Sequence, residues 1–106
     1  MLEDLNMIDI VTHEPGKWIK FVIIDSGVTK RDNPDRHLSL LNHKIDVCLA
    51  HLEDEQRFAE FGKPAEVVIE VRCAYPVASP TPIPRSVLYP SGRAMDYCIK
   101  FVDRTK

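Results

Sequence analysis

Apolar and polar residues alternate along the chain in a pattern that predicts four β-strands. Short apolar runs at 7–11 and 17–25 flank the turn-forming residues 13–16, which is typical of an antiparallel hairpin. Alternation over 65–74 and over 95–102 indicates two further strands that each bury one face. The pattern therefore predicts a hairpin near the start of the chain and two later strands.

A single long helix is predicted between the hairpin and the third strand. Asn33 can cap it, Pro34 suits its first position, and Gly62 ends it. Apolar residues recur at spacings of three and four along this segment and form one stripe at 100° per residue. The stripe consists of Leu38, Leu41, Ile45, Cys48, Leu52 and Ala59.

These elements predict a single α+β domain over residues 1–106 with the order ββαββ. A small four-stranded sheet, antiparallel or mixed, would carry the helix on one face. Residues 76–94 contain five prolines, a density that predicts a loop with at most one helical turn near 84–89. At 106 residues the chain has the usual length of one domain.

Three segments carry recognisable motifs: NMIDIV at 6–11, HLSLL leading to KI within 37–52, and VVIEV closing on YP within 65–76. Together they resemble a family of small bacterial α+β proteins of unknown function. The resemblance implies a compact domain in the bacterial cytoplasm, with no assigned activity and no cofactor. After residue 76 the family carries a second amphipathic helix, where this chain has its proline-rich stretch.

Apolar residues exceed what one helix on one sheet can bury. The second strand is apolar on both faces, and the helix is apolar beyond its main stripe. Exposed apolar patches of this kind mark interaction sites, so we expect a homodimer or a complex with another protein. The alternative is that the proline-rich segment covers one of the two patches. The candidate interface residues are Trp18, Val22 and Ile24 on the strand and Leu40, Val47 and Phe58 on the helix.

Composition and charge exclude several classes of function. The net charge of −2 gives no basis for nucleic-acid binding, and no apolar run reaches the ~20 residues of a membrane helix. The acidic start of the chain lacks the features of a secretory signal, and its three cysteines form no CxxC motif. We therefore expect a cytoplasmic protein with reduced thiols.

Catalytic chemistry has only two weak candidates. Cys48 and His51 lie three residues apart on the helix and could form a thiol–imidazole pair, although a metal site needs three or four ligands. The loop from Asp25 to Asp35 also carries Asp32, but its spacing does not match a calcium loop. The sequence therefore predicts no catalytic, metal-binding or cofactor-binding residue. A protein-binding or self-associating module is the primary hypothesis, and a small enzyme using either group is the alternative.

Overall fold

The computed structural model describes residues 10–77 and 82–103, which form a mixed five-stranded sheet and three helices. The α+β class and the long helix predicted from the sequence are confirmed. Residues 7–9 of the predicted first strand lie outside the described ranges. The elements are β1 (Ile10–Glu14), β2 (Trp18–Asp25), α1 (Val28–Asp32), α2 (Pro34–Glu53), α3 (Glu55–Glu60), β3 (Glu66–Cys73), β4 (Ile83–Leu88) and β5 (Ala94–Asp103).

The strands lie in the order β1-β2-β3-β5-β4. β1 and β2 form the predicted antiparallel hairpin, β3 is parallel to β2 and to β5, and β4 is antiparallel to β5. Parallel neighbours need a crossover connection, and the three helices supply it between β2 and β3. The carboxyl ends of β2, β3 and β5 therefore meet at one edge of the sheet, and their amino ends meet at the opposite edge.

The fifth strand and the first helix correct the sequence prediction. β4 lies inside the proline-rich residues 76–94, where the prolines predicted a loop. Proline lacks the N–H that a central strand must donate, but an edge strand tolerates it, and β4 is at the edge of the sheet with Pro84 in it. The short helix α1 likewise occupies part of the predicted loop at 26–33.

The predicted long helix consists of two helices. Asn33 caps α2 as expected, through its side-chain oxygen. At Asp54 the backbone turns extended, and the Asp54 carboxylate accepts hydrogen bonds from the N–H groups of Gln56 and Arg57 at 2.9 and 3.1 Å. This cap starts α3 in a new direction. No helix within the described ranges is long and apolar enough to cross a bilayer.

The hydrophobic core lies between α2 and one face of the sheet. Core side chains in register form rows across the three parallel strands, for example from Phe21 through Ile69 to Ile99. Four residues of the predicted stripe are buried against the sheet: Leu41, Ile45, Cys48 and Leu52. Leu38, in the first turn of α2, is instead 58% exposed. The buried residues of α2 are His37, Leu40, Leu41, Lys44, Ile45, Cys48, Leu49 and Leu52.

Gly62 joins the end of the helical layer to the hairpin turn. Its backbone adopts φ +79°, and its carbonyl accepts a hydrogen bond from the N–H of Gly16 at 2.7 Å. A Cβ at this position would stand 2.5 Å from the Cα of Pro15. Because both the conformation and the space exclude a side chain, glycine is required for this contact.

Candidate functional site

A cluster of polar side chains lies at the carboxyl edge of the parallel strands. Asp25 ends β2, and the register places Cys73 of β3 and Asp103 of β5 beside it. Ligands of open sheets with parallel strands bind at this edge. It is therefore the first place to look for a functional site.

Asp25 is the centre of the cluster. Its Oδ2 accepts hydrogen bonds from Nε2 of His37 at 2.6 Å and from the hydroxyl of Tyr75 at 2.7 Å, and its Oδ1 accepts one from the N–H of Gly27 at 3.0 Å. The ammonium of Lys30 lies 3.9 Å from the centroid of the Tyr75 ring. Both carboxylate oxygens of Asp25 are thus engaged by the protein.

These contacts determine which groups of the cluster are charged. Burial alone raises the pKa of Asp25, but the hydrogen bonds from Tyr75, His37 and Gly27, with the charge of His37, outweigh it and hold the pKa below its ordinary value. Burial and the bond to Asp25 raise the pKa of Tyr75 well above its usual range. Burial also raises the pKa of the Cys73 thiol. At neutral pH the cluster therefore holds an ionised carboxylate, a neutral phenol and a neutral thiol.

The arrangement ties three parts of the fold together and offers little to a ligand. Asp25 belongs to β2, His37 to the first turn of α2, and Tyr75 to the segment after β3. Asp25 is 1% exposed and His37 is 8% exposed, so neither can contact a substrate in this conformation. A buried, fully bonded carboxylate stabilises a fold and makes the loss of any partner costly.

The carboxylates of the loop from Asp25 to Asp35 do not converge. Asp32 and Asp35 are exposed, and Asp32 accepts a hydrogen bond from its neighbour Arg31, whereas Asp25 points into the buried cluster. Within the described ranges no group of three or more His, Cys, Asp or Glu side chains is placed to hold a metal ion. The shared site considered from the sequence is not formed.

Cys48 and His51 lie near each other in sequence, but the structure directs them to different surroundings. Nδ1 of His51 donates a hydrogen bond to the carbonyl of Val47 at 2.8 Å, one turn back on the same helix. Cys48 is 1% exposed, so its thiol has no access to a substrate in solution. This pair therefore lacks the geometry of an activated nucleophile.

Sequence reasoning missed the convergence of His37 and Tyr75 on Asp25. Twelve and fifty residues separate the partners, so no local spacing could show it. A signal existed nonetheless: Asp25 ends a strand whose parallel neighbour ends just before Tyr75. Had the parallel pairing been predicted, it would have placed these two residues at the same edge of the sheet.

The second candidate surface predicted from the sequence is the helix flank, formed by Leu40, Val47 and Phe58. Leu40 is buried, Val47 is half-buried, and Phe58 is half-buried against the core. The turn between β4 and β5 folds over the end of α2 beside it. Its residues Tyr89 and Arg93 provide the contacts described next.

The Tyr89 hydroxyl donates a hydrogen bond to the carbonyl of Leu49 at 2.8 Å. Arg93 donates through Nη2 to the carbonyls of Leu52 and Glu53, and its guanidinium carbon lies 4.1 Å from the centroid of the Phe58 ring. Tyr89 and Arg93 of the proline-rich stretch thus contact the end of α2 and the ring of Phe58.

The sheet face opposite α2, termed the outer face, has no such cover within the described ranges. It carries three of the predicted interface residues: Trp18, Val22 and Ile24. Val22 is 1% exposed, so it offers almost no surface, whereas Trp18 and Ile24 are half-buried. The indole N–H of Trp18 donates to Oε2 of Glu14 at 3.0 Å.

A shallow cavity of about 700 Å³ is lined by residues of β3, β4 and β5 near the amino ends of β3 and β5. One row of the sheet crosses it, from Val68 through Cys98 to Pro84. The exposed side chains of Glu66 and Asp96 lie one row closer to the amino ends of β3 and β5. The cavity therefore has an apolar strip beside two carboxylates.

Comparison with known proteins identifies a family. The model of a family of unknown function, DUF6572, matches residues 1–81. Because the match covers more than half of the chain, the chain belongs to this family, and the resemblance drawn from the sequence motifs is confirmed. No curated protein and no solved structure matches the chain. The Asp25 cluster lies within the matched residues, whereas β4 and β5 lie beyond them.

Proposed function

We propose that this member of the DUF6572 family is a self-associating, protein-binding module whose outer face binds a second copy of the chain. One observation carries the proposal. The outer face combines half-buried apolar side chains with exposed charges of both signs, and the described residues place no helix over it. Val68 and Cys98 supply the apolar part, and Asp96 and Lys100 supply exposed charges.

The pairing of the strands makes an uncovered face unusual. Parallel strands are normally covered on both sides, and β2, β3 and β5 form a parallel core with α2 on one side. Stacking a second sheet on the outer face would complete the cover. Identical copies most often achieve this about a two-fold axis, in which the same patch is used by both chains.

The outer face is large enough for this purpose. Five strands at about 4.8 Å spacing, with about eight residues of 3.3 Å each, give a face of roughly 600 Å². Stable protein interfaces bury about 600–1,000 Å² on each partner. The outer face therefore matches the lower end of this range without any contribution from the helices.

Mass measurement at several concentrations tests the proposal directly. Light scattering coupled to size-exclusion chromatography should give twice the chain mass at micromolar concentration. Val68→Lys places a charge in the apolar strip of the outer face and should give the mass of one chain. Trp18 is the single tryptophan of the chain and lies on the same face, so its emission should shift to longer wavelength on dissociation.

Val47→Lys is the matched control, because it makes the same change at a half-buried position on the helix flank. This variant should remain a dimer. If Val47→Lys dissociates and Val68→Lys does not, the interface lies on the helix flank. A wild-type chain that stays monomeric up to high micromolar concentration overturns the self-association proposal. Circular dichroism establishes that each variant is folded.

A further inference from the structure

We infer that the free edge of β1 pairs with β1 of a second copy of the chain, antiparallel about a two-fold axis at Thr12. This pairing joins two five-stranded sheets into one continuous sheet. It uses a different surface from the proposed outer-face contact, so each of the two contacts can be tested without the other. β1 (Ile10–Glu14) and β4 are the edge strands of the described sheet.

The two edges of the sheet differ in how they are protected from pairing. Natural edge strands avoid association by means of proline and charged side chains, and β4 carries both, in Pro84 and Arg85. β1 has the sequence IVTHE, which contains no proline, lysine or arginine, and its register with β2 has no bulge. Ile10, Val11 and Thr12 are β-branched, which favours strands, and Ile10 is 40% exposed. β1 is therefore the edge that can accept another strand.

The backbone of β1 presents hydrogen-bonding groups along this edge. The carbonyl of Glu14 accepts a hydrogen bond from the N–H of Lys17 at 3.0 Å, so Glu14 directs its backbone groups toward β2. Successive residues of an antiparallel strand direct theirs to alternate sides. Val11 and His13 therefore direct their N–H and C=O groups away from β2, where no strand of residues 10–77 and 82–103 pairs with them.

The register of the pairing follows from these directions. An axis at Thr12 is the one that pairs all five residues of β1. It places Val11 of each copy opposite His13 of the other, so the residues whose backbone groups point outward form hydrogen-bonded pairs. Thr12 lies opposite its own equivalent, which is a favourable cross-strand pair. An axis at His13 would instead place Val11 opposite Pro15, which has no N–H to donate.

The side chains at this joint bring no like charges into contact. Ile10 of each copy lies beside Glu14 of the other, and the Glu14 carboxylate accepts a hydrogen bond from the indole of Trp18. Lys20 shares the row of Thr12, so the two Lys20 residues are separated by three strand spacings, about 14 Å. The two Glu14 residues lie at opposite ends of the paired strands, about 13 Å apart. At these separations salt screens most of the repulsion.

NMR spectra of Val68→Lys, which removes the apolar contact of the outer face, test the edge by itself. Pairing of two short strands is weak, so the dissociation constant should be on the order of 1 mM. The amide signals of Val11 and His13 should shift as the concentration rises from about 20 µM to about 2 mM. Those of Ser86 and Val87 on the other edge should stay constant. Constant signals at Val11 and His13 over this range overturn the pairing.

Proline substitution tests whether the backbone makes the contact. His13→Pro removes an N–H that points away from β2, and an edge strand accepts proline at such a position. In the Val68→Lys protein this change should raise the dissociation constant about tenfold or more. His13→Thr is the matched control, because it keeps the N–H, and it should leave the constant within about threefold. Equal weakening by both changes overturns pairing through the backbone. Circular dichroism establishes that each variant is folded.

Opposite charges at Thr12 test the position of the axis. Thr12 is exposed, and Thr12→Lys and Thr12→Glu each oppose like charges at the axis, so each should weaken self-pairing about tenfold. A mixture of the two proteins opposes lysine to glutamate and should restore pairing. Isotope-labelled Thr12→Lys should therefore show shifts at Val11 and His13 on addition of unlabelled Thr12→Glu, but not on addition of unlabelled Thr12→Lys. A mixture that pairs no better than the separate variants overturns the axis at Thr12.

Discussion

Asp25 and Asp96 show how one residue type serves two regions of this molecule differently. Asp25, at the carboxyl edge of the parallel strands, is 1% exposed and accepts hydrogen bonds from three donors. Asp96, on the outer face, is exposed, and its side chain has no ion-pair partner in the described part of the chain. The first carboxylate holds the fold together, and the second is available to another molecule.

The difference follows from the cost of removing a charge from water. A buried carboxylate is tolerated only when hydrogen bonds replace its hydration, so each partner becomes necessary to the whole. An exposed carboxylate keeps its water and contributes little to folding.

The largest expected effect is on the stability of the buried cluster. Asp25→Asn keeps the shape of the side chain but removes its charge and one acceptor oxygen, and should lower the free energy of unfolding by about 2–3 kcal/mol. Asp96→Asn, the matched change at the exposed position, should lower it by less than about 0.5 kcal/mol. Urea denaturation followed by circular dichroism measures both.

This measurement needs low protein concentration, where association contributes least to apparent stability. If Asp25→Asn and Asp96→Asn lower the free energy of unfolding equally, the buried carboxylate is no more important to the fold than the exposed one.

Tyr75→Phe should have an effect of intermediate size, since it removes one hydrogen-bond donor from Asp25 and leaves the others in place. It should cost about 1 kcal/mol.

Acid should abolish the contribution of the Asp25 carboxylate to the free energy of unfolding. The pKa of Asp25 is lower in the folded protein than its ordinary value near 3.8, so its contribution is fully present above about pH 4. It is lost as the pH falls through the folded pKa. The difference in unfolding free energy between wild type and Asp25→Asn should be constant from about pH 7 to pH 5 and shrink below pH 4.

Asp96→Asn should track wild type across the same range, because its carboxylate has no bonded partner in the described residues. Urea titrations at each pH supply the free energies. A difference between wild type and Asp25→Asn that does not change with pH would mean that the charge of Asp25 adds nothing to stability.

A smaller difference is expected between alanine substitutions at two glycines. Gly27 adopts φ +83° and would place a Cβ 2.9 Å from the Tyr75 ring, whereas Gly92 adopts φ +90° with nothing within 4 Å of its Cβ position. Both Gly→Ala changes incur about 1–2 kcal/mol for the left-handed backbone. Only Gly27→Ala should also displace the ring, adding roughly 1 kcal/mol. Thermal unfolding of the two variants would test whether the ring contact matters.

Much of the fold could be predicted from local patterns. The alternation over 65–74 correctly predicted a strand that buries one face, because burial with a period of two follows the sequence pattern. The buried residues of that face are Val67, Ile69, Val71 and Cys73. β4 could not be predicted, because proline content alone does not reveal whether a segment lies at the edge of a sheet. The break at Asp54 was hidden because the charged run at 53–55 also fits a solvated helical face.

The sites were less predictable than the fold. Asp25, His37 and Tyr75 meet only because β2 and β3 are parallel, and neither spacing nor composition specifies that pairing. For Leu40 on the helix, the sequence indicated the position but not the burial. It was correctly placed among the apolar residues outside the main stripe, but only the structure shows that it is buried.

The two regions should also differ in the reactivity of their cysteines. None of the three cysteines, all of which lie in the described ranges, forms a disulfide. Cys98, at the cavity, is half-buried and should react with a maleimide in the folded chain at a dilution that dissociates the dimer. Cys73, beside Asp25, is 0% exposed, and burial raises the pKa of its thiol. It should therefore react only when the structure opens, because the nucleophile is the thiolate.

The modification rate of Cys73 thus measures opening of the cluster. If Asp25→Asn lowers the opening free energy by about 2 kcal/mol, the rate should rise about thirtyfold. The rate at Cys98 should remain nearly unchanged. Mass spectrometry of peptides from timed reactions separates the two sites, and a Cys98→Ser protein removes the faster-reacting cysteine.

Comparable rates at both cysteines in the native wild type would show that the carboxyl edge is as open as the outer face. A Cys73 rate that does not respond to Asp25→Asn would show that the thiol becomes accessible by a local motion that leaves the Asp25 hydrogen bonds intact.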